Sequence, residues 1–233
     1  MKRIVPVFAV MVVLAAALVA QAGSTSIKLQ FVNHLQMQFA EQDVYIERAA
    51  GSGQVFRVTA ADKNMSAALY AAADPIKHNP FDTKDLGPYK KGRALGISLG
   101  QWLAASGSGT YSCANGQGRV NVAFKKLVPN GVYTMWYFFM ALPPQQPFTG
   151  TLDLPVGARD GAQNTFKANA AGIAAYKLTF KPCLDLSGQQ VSSGLAIAWH
   201  SDGKTYMADP GPFGSVSHVQ LFLLLPKASE AQP

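Results

Sequence analysis

The chain is poor in charge, cysteine and histidine. Only 14% of its 233 residues are charged, against 48% hydrophobic. That balance excludes a mainly disordered chain and a coiled coil. Two cysteines exclude a disulfide-dense mini-scaffold and a four-cysteine zinc module. The four histidines, His34, His78, His200 and His218, lack the tight spacing of a zinc or blue-copper site. Glutamate is nearly absent after the first quarter, so paired carboxylates for glycoside hydrolysis have few candidates. Beyond the first 22 residues no run approaches the ~18 apolar residues of a membrane span.

The most specific signal is at the start. Lys2 and Arg3 precede an almost unbroken apolar run from Ile4 to Ala20, and Ala20-Gln21-Ala22 has the small-x-small form of a cleavage site. The expected organisation is therefore a signal peptide over 1–22, a single domain over 23–227 and a loose tail over 228–233. Loss of Lys2 and Arg3 lowers the net charge from +7 to +5. The expected location is periplasmic or extracellular, with no membrane span after cleavage. In such an oxidising compartment Cys113 and Cys183 are expected to form a disulfide. Lys90, Lys91 and Arg93 cluster, as do Lys125 and Lys126, but without the interleaved aromatics of a nucleic-acid binder.

Turn dipeptides punctuate the second half: Asn115-Gly116, Asn130-Gly131, Asp160-Gly161 and Asp202-Gly203. Runs with strand chemistry lie between them. Thr110 to Cys113 and Arg119 to Leu127 read as one hairpin, the second arm alternating Val120, Val122 and Phe124 with polar or small residues. Val132 to Met140 is apolar on both faces, as in a doubly covered central strand. Thr165 to Ala168 with Ala174 to Phe180 reads as a second hairpin, and Leu195 to His200 with Thr205 to Met207 as a third. His218 to Leu225 closes the domain. Earlier, Ile27 to Phe31, Val44 to Glu47 and Gln54 to Thr59 read as strands, and proline-rich 74–89 as an ordered loop. Ser98 to Ala105 reads as a short helix with a Ser-x-x-Gln capping box, ended by Gly107 to Gly109. The expected fold is a mainly antiparallel β-sandwich with immunoglobulin-like architecture and one short helix.

Several candidate sites compete with plain structural readings. Gly96-Ile97-Ser98-Leu99-Gly100 matches the nucleophile elbow of an α/β-hydrolase, but the chain does not alternate parallel strands with long helices, and helix capping accounts for Ser98. His200 and His218 fall at the edges of two expected strands, with Met207 between them as a soft ligand, which makes copper or zinc the candidate metals. Trp102, Trp136 and Trp199 with Tyr133, Tyr137 and Tyr206 offer a stacking platform. Core packing accounts for most of them, and Tyr206, just past a turn, is the best ligand-binding candidate. Asp153, Asp160 and Asp185 fall in turn-forming segments, and Asn64-Met65-Ser66 is a glycosylation sequon.

The positions of Cys113, Trp136 and Cys183 invite comparison with an immunoglobulin domain. Trp136 is too far from Cys113, however, and Lys181 replaces the tyrosine expected two residues before the second cysteine. Three other segments, LVPNGVYTMWYFF (127–139), LAIAWHSDGKTY (195–206) and HVQLF (218–222), resemble a group of exported bacterial β-rich proteins of unknown function. That resemblance covers the C-terminal half and implies a secreted β-rich protein without assigning a site. The expected function is non-catalytic binding of an unknown envelope or extracellular ligand, not nucleic acid. The alternative is a metal-binding protein using His200 and His218, and a serine hydrolase at Ser98 ranks third.

Overall fold

Short, alternating strands are joined by turns whose glycines and asparagines accept positive φ. The computed structural model describes residues 25–37, 41–76, 85–141, 143, 151–228 and 230. The leader expected over 1–22 lies outside the described residues, as do much of the 228–233 tail and residues 77–84 of the proline-rich loop.

The fold is mainly antiparallel β with one short helix, as the sequence leads one to expect. One sheet has four strands, in the order β1 (Thr25–Phe31), β6 (Ser106–Ala114), β7 (Gln117–Lys125) and β11 (Ala174–Phe180). The second has five, in the order β10 (Thr165–Lys167), β8 (Val132–Ala141), β12 (Val191–His200) and β13 (Ser217–Leu224), with β9 (Leu152–Pro155) also paired to β8. The inner faces of the two sheets share one core that includes Leu29, Phe31, Val120, Val122, Phe124, Met135, Leu195 and Ile197.

The β6–β7 hairpin forms around Asn115-Gly116, with φ of 53° and 69°. Its companion over 165–180 does not form a hairpin. Phe166 stacks between Phe124 at 5.0 Å and Tyr133 at 5.4 Å, which draws β10 to the edge of β8, while β11 pairs with β7 in the other sheet. The link over 169–172 thus crosses the sandwich, and its two arms face each other through Phe166 and Tyr176 rather than through backbone bonds.

Residues 205–207 form no strand either. The Asp202 carboxylate accepts from Lys204 N and from the Tyr206 hydroxyl, and Met207 adopts φ 59°, so this stretch is a loop and β12 pairs with β13.

A third unit was not legible in the sequence. β2 (Glu41–Ile46), β3 (Gln54–Thr59), β5 (Tyr89–Ser98) and β4 (Ala68–Ala72) close on one another as a small barrel. β4 is rich in alanine and β5 opens with Tyr-Lys-Lys-Gly-Arg, so neither has strong intrinsic β-propensity. Cross-strand pairing supplies what propensity does not. β5 runs directly into the helix α1 (Leu99–Leu103), which starts on a capping box between Ser98 and Gln101. Gly107 and Gly109 do not end that helix but lie within β6. A Cβ at 107 would sit 2.4 Å from the Phe124 ring, and one at 109 would sit 2.0 Å from Asn121 O.

Cys113 and Cys183 form a disulfide across a separation of 70 residues, tying the end of β6 to the segment after β11. In the chain-entropy model a loop of that length stabilises by about 4 kcal/mol. Alkylation of the native, unreduced protein should label no thiol, and reduction should lower the urea midpoint. Two labelled thiols would contradict the bond.

Candidate functional site

β12 and β13 pair antiparallel, with Trp199 opposite His218 and His200 opposite Ser217. Opposed residues share a sheet face and successive residues alternate. His218 therefore lies beside Trp199, ring centroids 5.7 Å apart, and His200 lies on the other face. Both His218 nitrogens are engaged, Nδ1 with Asp43 O at 3.0 Å and Nε2 with Ser201 Oγ at 3.1 Å. A carbonyl only accepts, so Nδ1 carries the proton, while the Ser201 hydroxyl has one proton to share between Nε2 and Val216 O at 3.2 Å. His200 Nε2 meets Thr134 Oγ1 at 2.7 Å, and Thr134 Oγ1 also accepts from Trp136 Nε1 at 2.7 Å. The Met207 side chain is exposed. The shared metal site expected from His200, His218 and Met207 is thus not assembled, because strand alternation separates the imidazoles. Among the described residues no group of three or more His, Cys, Asp or Glu side chains is placed to hold a metal ion.

Tyr206, expected to be exposed, is half-buried. Its ring lies 5.8 Å from that of His200, and its hydroxyl donates to Asp202 Oδ2 at 2.7 Å. It closes over the end of β12 as part of the loop.

His218 connects the second sheet to the barrel through Asp43. Asp43 Oδ2 accepts from Val219 N at 2.9 Å, and Oδ1 meets Arg57 Nη1 at 3.4 Å, with both side chains essentially inaccessible. Arg57 lies over the rings of Tyr45 and Tyr89. Burial pushes the Asp43 carboxyl up to about 6, against the pull of Arg57. Burial pushes the His218 imidazole down to about 4, against its bond to the Asp43 carbonyl, with Arg93 and His200 also lowering it and Asp202 raising it. His200 is lowered by burial too, and Asp153 is raised by it.

The signs of these shifts oppose one another. The raised Asp43 contributes stability at low pH that is lost as pH rises from 3.8 through about 6. The lowered His218 costs stability at low pH, a cost relieved as pH rises from about 4 through 6.5. Each effect is worth about 3 kcal/mol over its window. Between pH 4 and 6 the two slopes oppose each other, so urea denaturation of Asp43→Asn should show stability rising more steeply with pH than in the unaltered protein, and an equal slope would show that Asp43 keeps its ordinary pKa.

Ser201, His218 and the Asp43 carbonyl form a chain in the order of a nucleophile, a base and an orienting group. Nothing local in the sequence marks Ser201, because its partner lies in another strand. Acyl transfer also requires a pair of free backbone donors, and three of the nearest are engaged. Ser201 N bonds to Val216 O, Gly203 N to His200 O and Lys204 N to Asp202 Oδ1. Ser98, the other candidate, has φ −95° and ψ 165°, an ordinary extended geometry, and its hydroxyl accepts from Gln101 N. The strand-to-helix step of an elbow is present at β5–α1, but the serine is used as a cap.

Apart from Tyr206, the aromatic platform is buried. Trp102, Trp136 and Trp199 are all buried, and Trp102 Nε1 donates to Gln42 Oε1 at 3.0 Å. Asp153 accepts from the Thr151 hydroxyl, Asp160 caps a turn through Ala162 N, and Asp185 offers its carbonyl to Tyr137 and Ser193. Lys91 pairs with Glu47 at 2.8 Å and lies over Tyr70. The Asn64 side chain accepts from Ser66 N in an exposed turn.

The outer face of the four-stranded sheet is a different kind of surface. Register places Ser26, Ser112, Arg119 and Thr179 in one row across the strands, and Lys28, Thr110, Asn121 and Lys177 in the next. A third row runs Gln30, Ser108, Ala123 and Ala175, and Lys125 follows opposite Ser106. Lys28, Arg119, Lys125 and Lys177 are exposed, and the four strands contain no Asp or Glu. A shallow hollow of about 240 Å³ opens between Arg119, Asn121, Lys177 and Thr179. Alternation in β7 is visible in the sequence but this clustering is not, because the cations come from three strands widely separated in sequence. Absence of carboxylates from every one of the four strands is the sequence signal that points to it.

Comparisons with protein-family models, with curated proteins and with solved structures found no match.

Proposed function

We propose that the protein is exported and acts as a non-catalytic binding protein, through the outer face of its four-stranded sheet. The observation that carries this reading is the concentration there of four exposed cations without a carboxylate. Those four cations compare with a net charge of only +5 after loss of Lys2 and Arg3 from the +7 chain. Charge of one sign gathered on a flat face attracts anionic partners and is screened by salt. Export is supported by the basic start, apolar run and Ala-x-Ala step, and by the Cys113–Cys183 disulfide, which suits an oxidising compartment. No helix among the described residues is long and apolar enough to cross a membrane.

Co-sedimentation with envelope fragments of the producing cell tests the reading. Binding should fall as salt rises, and a variant carrying Lys28→Gln, Arg119→Gln, Lys125→Gln and Lys177→Gln should lose it at least tenfold with its thermal midpoint unchanged. Equal binding by that variant would remove the face from the mechanism.

A further inference from the structure

We infer that the partner of this face is a linear acidic polysaccharide, an inference that rests on the binding role proposed above. The charges are widely spaced. Lys28 and Lys177 end the same row across four strands, three inter-strand steps apart, or about 14 Å. Arg119 and Lys125 lie six residues apart on β7, or about 20 Å. A small anion such as phosphate meets one of these cations, or two at the Arg119–Lys177 hollow, and a polymer with repeated negative charge meets all four.

The groups between the cations select the kind of polymer. Ser108, Thr110, Ser112, Asn121 and Thr179 are short hydroxyl and amide side chains on the same face, suited to exchange hydrogen bonds with sugar hydroxyls. Their small size keeps the face flat, so an extended chain can lie across it. A lipid surface asks for apolar side chains that enter the interface. Of the large apolar side chains exposed among the described residues (Met65, Leu152, Ile173, Val191, Met207 and Leu224), none lies within these four strands, and Ile173 alone borders the face, one residue before β11 beside Lys125. A single-stranded nucleic acid asks for exposed aromatic rings on which bases stack. Here every ring in the four strands faces inward: Phe31, Tyr111, Phe124, Tyr176 and Phe180 are all buried. What remains is fixed positive charge set among hydroxyls and amides, complementary to sulfate or carboxylate groups carried on a sugar chain.

The test uses the exported, disulfide-intact protein and five defined probes: dextran sulfate, polygalacturonate, neutral dextran, phosphatidylglycerol vesicles and single-stranded DNA. Two fourfold variants of equal net charge are compared. One carries Lys28→Gln, Arg119→Gln, Lys125→Gln and Lys177→Gln. The other carries Lys63→Gln, Lys90→Gln, Arg159→Gln and Lys204→Gln, all exposed positions outside the four strands. The expected result is salt-sensitive binding to at least one of the two acidic polysaccharides, none to neutral dextran and weaker binding to vesicles and DNA. The face variant should bind at least tenfold more weakly than the unaltered protein and the second variant within twofold of it. Single Arg119→Gln and Lys177→Gln variants should each give a partial loss, which keeps the test open should the fourfold variant fold poorly. Tighter binding of vesicles or DNA through the same four residues would overturn the polysaccharide while leaving the face as the binding surface. Equal losses in both fourfold variants, or no binding to any anionic probe, would overturn both.

Discussion

Replacing Trp136 by alanine is expected to lower the free energy of unfolding by about 3–5 kcal/mol, the range of large-to-small changes at aromatic core positions. Trp136 is 2% exposed, although it lies on the face of β8 away from the core between the sheets. It stands opposite Ala196, while Thr134 stands opposite Ala198 and Phe138 opposite Gly194. The small residues of β12 leave room for the large ones of β8. A Cβ added at Gly194 would meet the Phe138 ring at 2.4 Å. Truncation removes that packing, and it also removes the Nε1 donor to Thr134 Oγ1, on which His200 depends. Urea denaturation measures the effect. An unchanged midpoint would place the indole in solvent.

The second large effect is expected at Arg57. Arg57→Met should destabilise by about 3–5 kcal/mol, because it leaves the Asp43 carboxylate buried without its cation. Loss of Arg57 also removes the attraction that now lowers the Asp43 pKa, so that pKa should climb above its present value of about 6. The stability of Arg57→Met should then fall more steeply than that of the unaltered protein as pH rises from 5 to 8. The double variant Asp43→Asn/Arg57→Met should recover part of the loss, since neither buried charge remains. If the double variant is as unstable as the sum of its parts, the ion pair has no coupling. Denaturant unfolding of the three variants at pH 5 and pH 8 separates these outcomes.

Much of the sandwich was legible because its strands carry their environment in their own pattern. β7 alternates buried and exposed residues along its whole length, as Val120, Val122 and Phe124 required, and β8 is apolar on both faces because both are covered. The disulfide followed from there being only two cysteines, and Ser98 with Gln101 set the start of the helix by a local bond between them. The barrel was not legible. The alanines of β4 and the lysines of β5 state no preference, and only pairing with β2 and β3 makes them strands.

The candidate sites divide along the same line. Sequence brought His200 and His218 to neighbouring strand ends, but the register of β12 on β13 decided which face each occupies, and a step of one residue reverses the face. Asp43 and Arg57 become partners only because β2 and β3 close into the barrel, and His218 reaches Asp43 across 175 residues of chain. The cations of the face come from three separate strands, each unremarkable alone, with β6 adding only small and hydroxyl residues between them. Sequence determined that these strands alternate and carry no carboxylate. Hydrogen-bonded pairing of β1, β6, β7 and β11 decided that their cations share one surface, because strand order and register depend on contacts between residues far apart in the chain.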